Sequence, residues 1–269
     1  SISVDKTNSF NDRNLRSSYL YLTYQSKVEK TVLFEASGHS LVLINGFPHE
    51  GDHYDFGYNL IPLKLNKGIN VFVLKVGRFP RVRARLIDAD NPVQFTRRDM
   101  TLPDLLQESD NSYSGAIRVI NATPQWVKNY SIQAYMADEK ASTVVPSIPP
   151  MTVRKIPFTI PKIHKGAEAG KIDLMLDLKN DKNEIVSENT LEIEVKSEQD
   201  HHKKTFVSHI DGSVQYYSVA PSTDTETESQ ALFLSVHGAS VEAVNQARAY
   251  KKKDWGVLIA PTNRRPFGF

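Results

Sequence analysis

The sequence predicts a mostly β protein, in which two β-sandwiches are followed by the start of a mixed sheet with one helix. Short apolar runs separated by turn residues fill the chain from about residue 17 to 197. Several of these runs alternate apolar and polar residues with a period of two, as half-buried strands do. After a polar linker, the order changes to hairpin, strand, helix and strand. We therefore predict domains at residues 1–110, 111–198 and 199–269.

The first region is predicted to be an antiparallel sandwich. Its strand-like runs are TVLFEA, SLVLINGFP, NLIPLKL and GINVFVLKVG. Asn45 and Gly46 lie between two apolar runs, and this pair is a strong hairpin signal because both residues tolerate positive φ. No convincing helical period appears before the segment TLPDLLQES.

The same residues resemble a known module. An apolar strand, Asn45-Gly46, a Gly51-Asp52 step, an aromatic stretch, LIPLKLNKG and INVFVLKV follow one another between residues 28 and 87. This order is similar to the sugar-binding, galactose-binding-like jelly roll at the front of many glycoside hydrolases and of some secreted esterases. The resemblance implies a jelly-roll domain at residues 1–110.

Residues 111–198 are predicted to form an immunoglobulin-like β-sandwich. In KIDLMLDLKN, the alternation predicts that residues 172, 174, 176 and 178 face the core. Turn signals recur at the intervals that such sandwiches use, although the Cys and Trp hallmarks of antibody domains are absent. The proline-rich stretch VVPSIPPMTVRKIPFTIP fits edge strands and stiff connections better than a central strand.

Residues 199–269 are predicted to begin an α/β sheet. TFVSHIDGSVQYYSVAP gives two strands around Asp211-Gly212, a hairpin turn pair. ALFLSV is a continuous apolar run of the kind that is buried on both faces of such a sheet. In VEAVNQARAYKKK, apolar residues at spacing three, from Val241 to Tyr250, predict one face of a helix. WGVLIAP is the next predicted strand.

The segments DGSVQYYSVAP, ALFLSVHGAS and WGVLIAPTNRR resemble the start of the catalytic domain of prolyl-oligopeptidase-like serine hydrolases and esterases of the α/β-hydrolase family. The resemblance covers about residues 203–269. It implies that His237, Gly238 and Ala239 form an oxyanion loop, in which a backbone N–H donates to the developing negative charge. The other interpretation is that His237-Gly238 only ends a core strand.

A nucleophile is harder to place. Ser240 lies at the predicted strand-to-helix turn, but Glu242 takes the place of the second glycine of G-x-S-x-G and no histidine follows His237. We therefore interpret Ser240 as a helix cap. In the usual chain order the nucleophile, acid and base follow WGVLIAP, so we expect them beyond Phe269, in a downstream catalytic domain of the same protein.

Asp52, Tyr54 and Tyr58 are candidate carbohydrate-binding residues. They follow the Asn45-Gly46 turn and combine aromatic faces with polar groups, as a sugar platform requires. Turn-rich loops are polar in any case, and the same aromatic side chains suit packing against a neighbouring domain. We favour the packing role, and we expect the isolated chain to bind simple sugars weakly or not at all.

Two further groups have simpler interpretations. Arg81, Arg83 and Arg85 share one face of a predicted strand, and we interpret them as a solvated face rather than a site for acidic sugars. His201 and His202 lie in a polar linker, where adjacent histidines point in different directions, so we expect no metal site there.

Composition argues against several partners. The formal net charge of +2 over 269 residues gives no polyanion-binding signal. No apolar run approaches the roughly 18 residues of a membrane span, so we expect neither nucleic acid nor membrane insertion. The lack of cysteine excludes disulfides and thiolate metal sites, and we expect no cofactor. The first residues lack the features of a signal peptide, and we expect a secreted or periplasmic bacterial protein whose leader has been removed.

Two functions remain open at this stage. The first is the N-terminal part of a secreted serine hydrolase that cleaves esters or peptides through an acyl-enzyme, with a carbohydrate or ester substrate. The second is a non-catalytic carbohydrate-binding or interaction module of a secreted glycan-degrading protein. In either case we expect this chain alone to lack esterase activity, because no nucleophile is recognisable in it.

Overall fold

A computed structural model describes residues 2–109, 111–226, 230–236, 238 and 241–262. The described chain is almost entirely β structure, which confirms the predicted fold class. It divides into two compact units. The first unit comprises Ser1–Asp99, Arg118–Val127 and Ser147–Arg154, and the second comprises Met100–Ile117, Lys128–Pro146 and Lys155–Phe269.

The strands have the following bounds. Before residue 110 they are β1 Phe10–Asn11, β2 Tyr19–Ser26, β3 Lys30–Ser37, β4 His39–Ile44, β5 Phe47–Glu50, β6 Asn59–Leu65, β7 Gly68–Val76, β8 Arg81–Ile87, β9 Val93–Thr101 and β10 Leu105–Leu106. After it they are β11 Tyr113–Asn121, β12 Ser131–Met136, β13 Glu139–Val144, β14 Thr152–Ile160, β15 Gly170–Lys179, β16 Ile185–Lys196, β17 His202–Val207, β18 Val214–Ala220, β19 Ala231–Leu234 and β20 Gly256–Pro261. A 3-10 turn spans Arg13–Leu15, and helix α1 spans Ala243–Arg248.

Two four-stranded sheets of the first unit form the predicted sandwich. Their strand orders are β1-β8-β3-β6 and β2-β7-β4-β5, and the pairs within them are antiparallel. Alternate residues of both sheets enter one shared core, which includes Phe34, Phe72 and Leu74. The rings of Phe34 and Phe72 stack with their centroids 5.4 Å apart. Burial of each such side chain contributes about 1.5–3 kcal/mol, so this core is the main source of stability in the sandwich.

The hairpin between β4 and β5 is the one that the sequence predicts. Ile44 pairs with Phe47, and Asn45 and Gly46 between them have φ values of 50° and 88°. Two positive φ values in succession fit a type I′ turn, whose twist matches that of the strands. The Asn45 side chain also accepts a hydrogen bond from the backbone N–H of Val71 at 2.8 Å, which ties the turn to β7.

A three-stranded sheet has the order β14-β11-β9. Since the first unit includes Arg118–Val127 and Ser147–Arg154, and the second begins at Met100, the compact units do not follow the predicted boundary at residues 110 and 111. The division into three domains stays a prediction. Within the first unit, Leu33 and Leu60 pack with Ile120 and Ala122 in a second, smaller core.

The second unit contains a five-stranded sheet in the order β10-β16-β15-β12-β13. Leu174, Leu176 and Leu178 of β15 are fully buried, while Met175 between them is 48% exposed. This pattern confirms the predicted alternation. Ile172, at the start of the same row, is only half-buried.

The last sheet, in the order β17-β18-β20-β19, has the predicted sequence of hairpin, strand, helix and strand. β17 and β18 are antiparallel neighbours joined through Asp211 and Gly212, and Gly212 has a φ of 68°. β19 and β20 are parallel neighbours connected through α1, as a crossover connection requires.

Helix α1 is shorter than the sequence suggests and buries a different face. Its N-cap is Glu242, not Ser240, which lies outside the described residues. Ala243 and Ala247 are its buried residues and pack on Ala260. Of the predicted stripe of Val241, Val244, Ala247 and Tyr250, Ala247 is buried, Val241 and Val244 are half-buried, and Tyr250 is exposed. In the described part of the chain, no helix has the length and apolarity needed to cross a membrane.

Strand β19 has an environment opposite to the predicted one. All of its residues are exposed, with Leu232 at 67% and Leu234 at 65%. The strand lies at the edge of its sheet, and α1 packs on β18 and β20. The prediction that this run is buried on both faces is therefore wrong for this structure, because the run lies at an edge that nothing in the described chain covers.

Candidate functional site

The three predicted carbohydrate-binding residues lie together in residues 51–58, called the aromatic loop below. This loop connects β5 to β6. It begins at Gly51, where a Cβ atom would lie only 2.2 Å from the carbonyl carbon of Ser40. Any larger residue would collide with the backbone there, so glycine allows the loop to start close against β4.

Asp52 is the anchor of the aromatic loop. It is 2% exposed, and its backbone N–H donates to the carbonyl of His39 at 2.6 Å. Its carboxylate accepts hydrogen bonds from the backbone N–H groups of Phe56, Gly57 and Tyr58 at 3.0, 2.5 and 3.3 Å. Burial raises the pKa of Asp52, and these three hydrogen bonds oppose that shift. Both carboxylate oxygens are thus engaged in holding the loop, while a ligand-binding role for Asp52 stays a prediction.

The side chains of the loop form a contiguous aromatic surface. Phe56 and Tyr58 stack with centroids 5.2 Å apart and 15° between their planes, and Tyr54 lies 6.2 Å from Phe56. His53 packs edge-on against Tyr54 at 4.9 Å. All four side chains are half-buried, so each is supported by its neighbours and still reaches the surface.

Arginines from other strands support the loop. Arg98 of β9 donates from Nη1 to the carbonyl of Gly57 at 2.8 Å. Arg118 of β11 donates from Nη1 to the carbonyl of Tyr58 at 3.1 Å. Hydrogen bonds from charged donors are stronger than neutral ones, so the end of the loop is held by side chains as well as by its own backbone. Arg118 also pairs with Asp99 at 2.9 Å.

Glu35 balances part of this positive charge. Its side chain is 7% exposed and accepts hydrogen bonds from Arg85 at 2.6 Å and from Arg98 at 3.0 Å. Burial alone would raise the pKa of Glu35, but the hydrogen bonds and charges of Arg85 and Arg98 bring it below its usual value. Glu35 is therefore ionised at neutral pH and keeps Arg98 directed toward the aromatic loop.

The sequence reasoning missed several residues of this site, among them Phe56 and Arg78. Phe56 links the two tyrosines, and its place among the aromatic residues of one loop was a usable signal. Arg78 lies with its guanidinium 5.7 Å from the centroid of the Tyr54 ring, within cation–π range. The backbone N–H of Arg78 also donates to the carbonyl of His53 at 3.1 Å. No sequence signal pointed to Arg78, because its approach depends on how β7 pairs with β4.

The predicted oxyanion loop is only partly described. His237 and Ala239 lie outside the described residues. Gly238 is exposed, and its carbonyl accepts a hydrogen bond from the N–H of Val241 at 3.1 Å. The oxyanion role stays a prediction, since it depends on N–H groups of the undescribed residues.

The other charged groups singled out in the sequence lie outside the aromatic loop. Arg81 and Arg83 are exposed on β8, and Arg81 approaches Asp55 at 3.9 Å. His202 is buried in β17, with Nδ1 2.7 Å from the carbonyl oxygen of Asp200. Among the residues that the structure describes, no three His, Asp or Glu side chains are grouped so that they could hold a metal ion.

Comparisons with known proteins give matches among solved structures only. No family model and no curated protein matches the sequence. An exo-chitosanase from Amycolatopsis orientalis is 15% identical with a TM-score of 0.37, and the match covers 74% of this chain and 27% of that one. A family 2 β-galacturonidase from Eisenbergiella tayi is 14% identical with a TM-score of 0.38, over 72% of this chain and 38% of that one. A β-glucuronidase from Bacteroides uniformis is 10% identical with a TM-score of 0.41, over 85% and 30%. The chain therefore spans less than half the length of these enzymes.

These findings correct the family suggested by the sequence. The assignment to prolyl-oligopeptidase-like serine hydrolases, and with it the activities of a serine esterase or peptidase, is wrong: the matching structures named above are glycoside hydrolases. The hairpin, strand, helix and strand that suggested it are present, but many α/β sheets share that order and a fold does not fix a chemistry.

Proposed function

We propose that this chain is a non-catalytic accessory region of a multidomain, secreted or periplasmic glycan-degrading protein, and that its aromatic loop binds carbohydrate. The observation that carries the proposal is the contiguous ring surface of Tyr54, Phe56 and Tyr58. Asp52 fixes the backbone beneath these rings through three hydrogen bonds.

The chemistry of sugars suits this surface. A sugar ring has apolar C–H faces, which pack on aromatic rings, and hydroxyl groups, which need hydrogen-bond partners. Tyrosine offers both an apolar body and a polar O–H. Because the rings of Tyr54, Phe56 and Tyr58 already pack on one another, little side-chain freedom is lost when a ligand binds.

The size and charge of the surface indicate the kind of sugar. One sugar residue covers about one aromatic ring, so a surface of three rings fits an oligosaccharide and binds a monosaccharide weakly. Arg78 lies beside Tyr54, and a guanidinium group recognises carboxylates through charge-assisted hydrogen bonds. We therefore infer a preference for oligosaccharides that contain acidic sugars.

Titration calorimetry tests this function. The purified chain is titrated with neutral and with uronic-acid-containing oligosaccharides of equal length. We expect Tyr58→Ala to weaken binding about tenfold, the effect of losing one aromatic stacking contact. Tyr21→Ala is the matched control, because Tyr21 is 66% exposed on β2 and lies outside the aromatic loop. Equal effects of the two substitutions, or no binding of any oligosaccharide, would contradict the proposal.

The exposed edge of the last sheet favours a second, compatible function. Leu232 and Leu234 project from β19 into solvent, and Phe233 packs edge-on against Trp255, which is itself 54% exposed. Apolar surface of this kind marks an interaction site, and an open strand edge invites pairing with another strand. We infer that β19 packs against a catalytic domain of the same protein.

Hydrogen exchange tests this second function. The backbone amides of β19 and of Trp255 are compared between this chain and the full-length protein. We expect slower exchange at these amides in the full-length protein, because a covering domain removes them from water. Equal exchange rates in both proteins would show that the edge stays open, and would exclude this contact.

A further inference from the structure

A cavity of about 330 Å³ opens between the two sheets of the sandwich. It lies where β2, an edge strand, faces β8 of the other sheet. Its lining includes the buried Phe34 and Phe72 of the shared core and the partly buried Leu22, Ala84 and Leu86. The volume lies within the range of small-molecule sites, and the lining combines apolar side chains with polar ones. No residue of the aromatic loop lines this cavity.

The cavity follows from the side chains at the edge of the sandwich. Sheets in a sandwich pack about 10 Å apart, and large side chains from both sheets must fill the space between them. Phe34 and Phe72 fill it at the centre. At the edge, Ala84 offers only a methyl group, although its neighbours Val82 and Leu86 on the same face are larger. The space left over Ala84 exposes apolar wall to water, which favours an apolar occupant.

The residues around one end of the cavity carry a net positive charge. Lys30 and Leu65 line that end and pair with each other across β3 and β6. The turns at residues 27–29 and 66–67 lie beside them. Asp88 pairs with Lys30. The charged residues at this end are therefore Lys27, Glu29, Lys30, Lys64, Lys67 and Asp88. Four of them are positive and two are negative, which leaves a net charge of +2.

Two cations, Lys30 and Arg85, line the cavity together with Asp88. Because the Arg85 guanidinium is held by the buried Glu35 carboxylate at 2.6 Å, Lys30 is the cation better placed to reach a bound molecule. The alternation of β3 puts it on the same face as Val32 and Phe34, which also line the cavity. Its ion pair with Asp88 has an N···O distance of 3.1 Å, and the Asp88 side chain is 82% exposed. Exposed ion pairs of this kind contribute little stability, so the Lys30 ammonium can exchange Asp88 for a carboxylate at small cost.

We propose that this cavity binds a small carboxylic acid with an apolar body. The carboxylate pairs with Lys30, and the apolar body lies over Ala84 against Phe34 and Phe72. Aliphatic and aromatic acids share this chemistry. The site is separate from the aromatic loop, and its existence does not depend on the function proposed for that loop.

An NMR titration of the whole chain tests the proposal. The probes are octanoate, 3-phenylpropanoate and octylammonium, which compare an aliphatic acid, an aromatic acid and a cation. For a ligand of about ten non-hydrogen atoms we expect a Kd on the order of 1 mM for the better acid, with shift changes at residues 22–24 and 84–86. The tighter of the two acids identifies the natural class. Octylammonium should bind at least about fivefold more weakly; equal binding of the cation, or no binding of either acid, overturns the proposal.

Substitutions locate the site. Lys30→Gln should weaken binding of the acid about fivefold, the loss of one charged contact. Lys27→Gln is the matched control, since Lys27 belongs to the neighbouring turn but does not line the cavity, and it should change the Kd less than about twofold. Asp88→Asn should strengthen binding, because it leaves Lys30 without a competing carboxylate.

A filled cavity gives an independent check. Ala84→Trp should abolish binding of both acids while the thermal midpoint stays within a few degrees of the parent chain. Retained binding in Ala84→Trp overturns the proposal. If that variant does not fold, the comparison of Lys30→Gln with Lys27→Gln decides, and equal effects of the two overturn it.

Discussion

Leu74 in β7 and Leu234 in β19 are the same residue in the same kind of element, yet their environments are opposite. Leu74 is fully buried, whereas Leu234 is 65% exposed. β7 has β2 on one side and β4 on the other, and the second sheet of the sandwich covers its inner face. β19 has β20 as its one neighbour in the described sheet. The comparison teaches that the apolar composition of a strand indicates side chains that favour burial. The position of the strand in its sheet decides whether this chain buries them.

The largest expected effect is a difference in unfolding free energy between alanine substitutions at Leu74 and at Leu234. Leu74→Ala should lower the free energy of unfolding by about 3–5 kcal/mol, because it removes buried methyl groups and leaves a cavity. Leu234→Ala should change it by less than about 0.5 kcal/mol, since its side chain is already in water. Urea unfolding of this chain measures both. Similar losses for the two variants would break the comparison.

The second prediction concerns the stability of the sandwich at acidic pH. His39 is fully buried and packs edge-on against Phe34. Burial lowers the pKa of His39 to about 4, although the nearby backbone of Glu50 opposes the shift. The unfolded chain binds this proton near its ordinary pKa of 6.5, so stability is lost as the pH falls from about 6.5 to about 4, by up to roughly 3 kcal/mol.

Urea unfolding at pH 7 and at pH 4.5 checks this effect. We expect His39→Gln to lose less stability than the parent chain between these two pH values. His164→Gln is the control, because His164 is exposed in the second unit, and it should keep the parent's pH dependence. An unchanged dependence in His39→Gln would show that His39 does not cause it.

The smallest expected effect on stability is that of a charged substitution at the exposed Leu234. Leu234→Lys should leave the free energy of unfolding within about 0.5 kcal/mol of the parent. It should nevertheless reduce self-association at high concentration, because a lysine on an edge strand opposes pairing between chains. Sedimentation velocity measures the association. A variant that associates as the parent does would argue that β19 does not mediate the association.

The sequence was sufficient for features that depend on neighbouring residues. The alternation at Leu174, Leu176 and Leu178, and the hairpins at Asn45-Gly46 and Asp211-Gly212, are local patterns, and the structure confirms them. The grouping of Tyr54 and Tyr58 with Asp52 was likewise visible, since all three belong to one loop.

The sequence was insufficient to predict contacts between residues that are far apart along the chain. Arg98 and Arg118 reach the aromatic loop from β9 and β11, and Arg78 reaches it from the connection between β7 and β8. Asp52 accepts hydrogen bonds from three loop N–H groups, a supporting role that depends on the folded backbone and could not be read from the sequence. β19 was expected in an interior because its composition is that of an interior strand, but composition does not state which strand lies at the edge.

The most direct test of the proposed function is a map of backbone amide shifts as an acidic hexasaccharide is added to the chain. The account predicts that the changes concentrate at residues 51–58 and at Arg78, and that Tyr58→Ala removes most of them. Binding that shifts the exposed face of β2 around Tyr19 and Tyr21, and leaves residues 51–58 unchanged, would contradict the claim that the aromatic loop is the carbohydrate site.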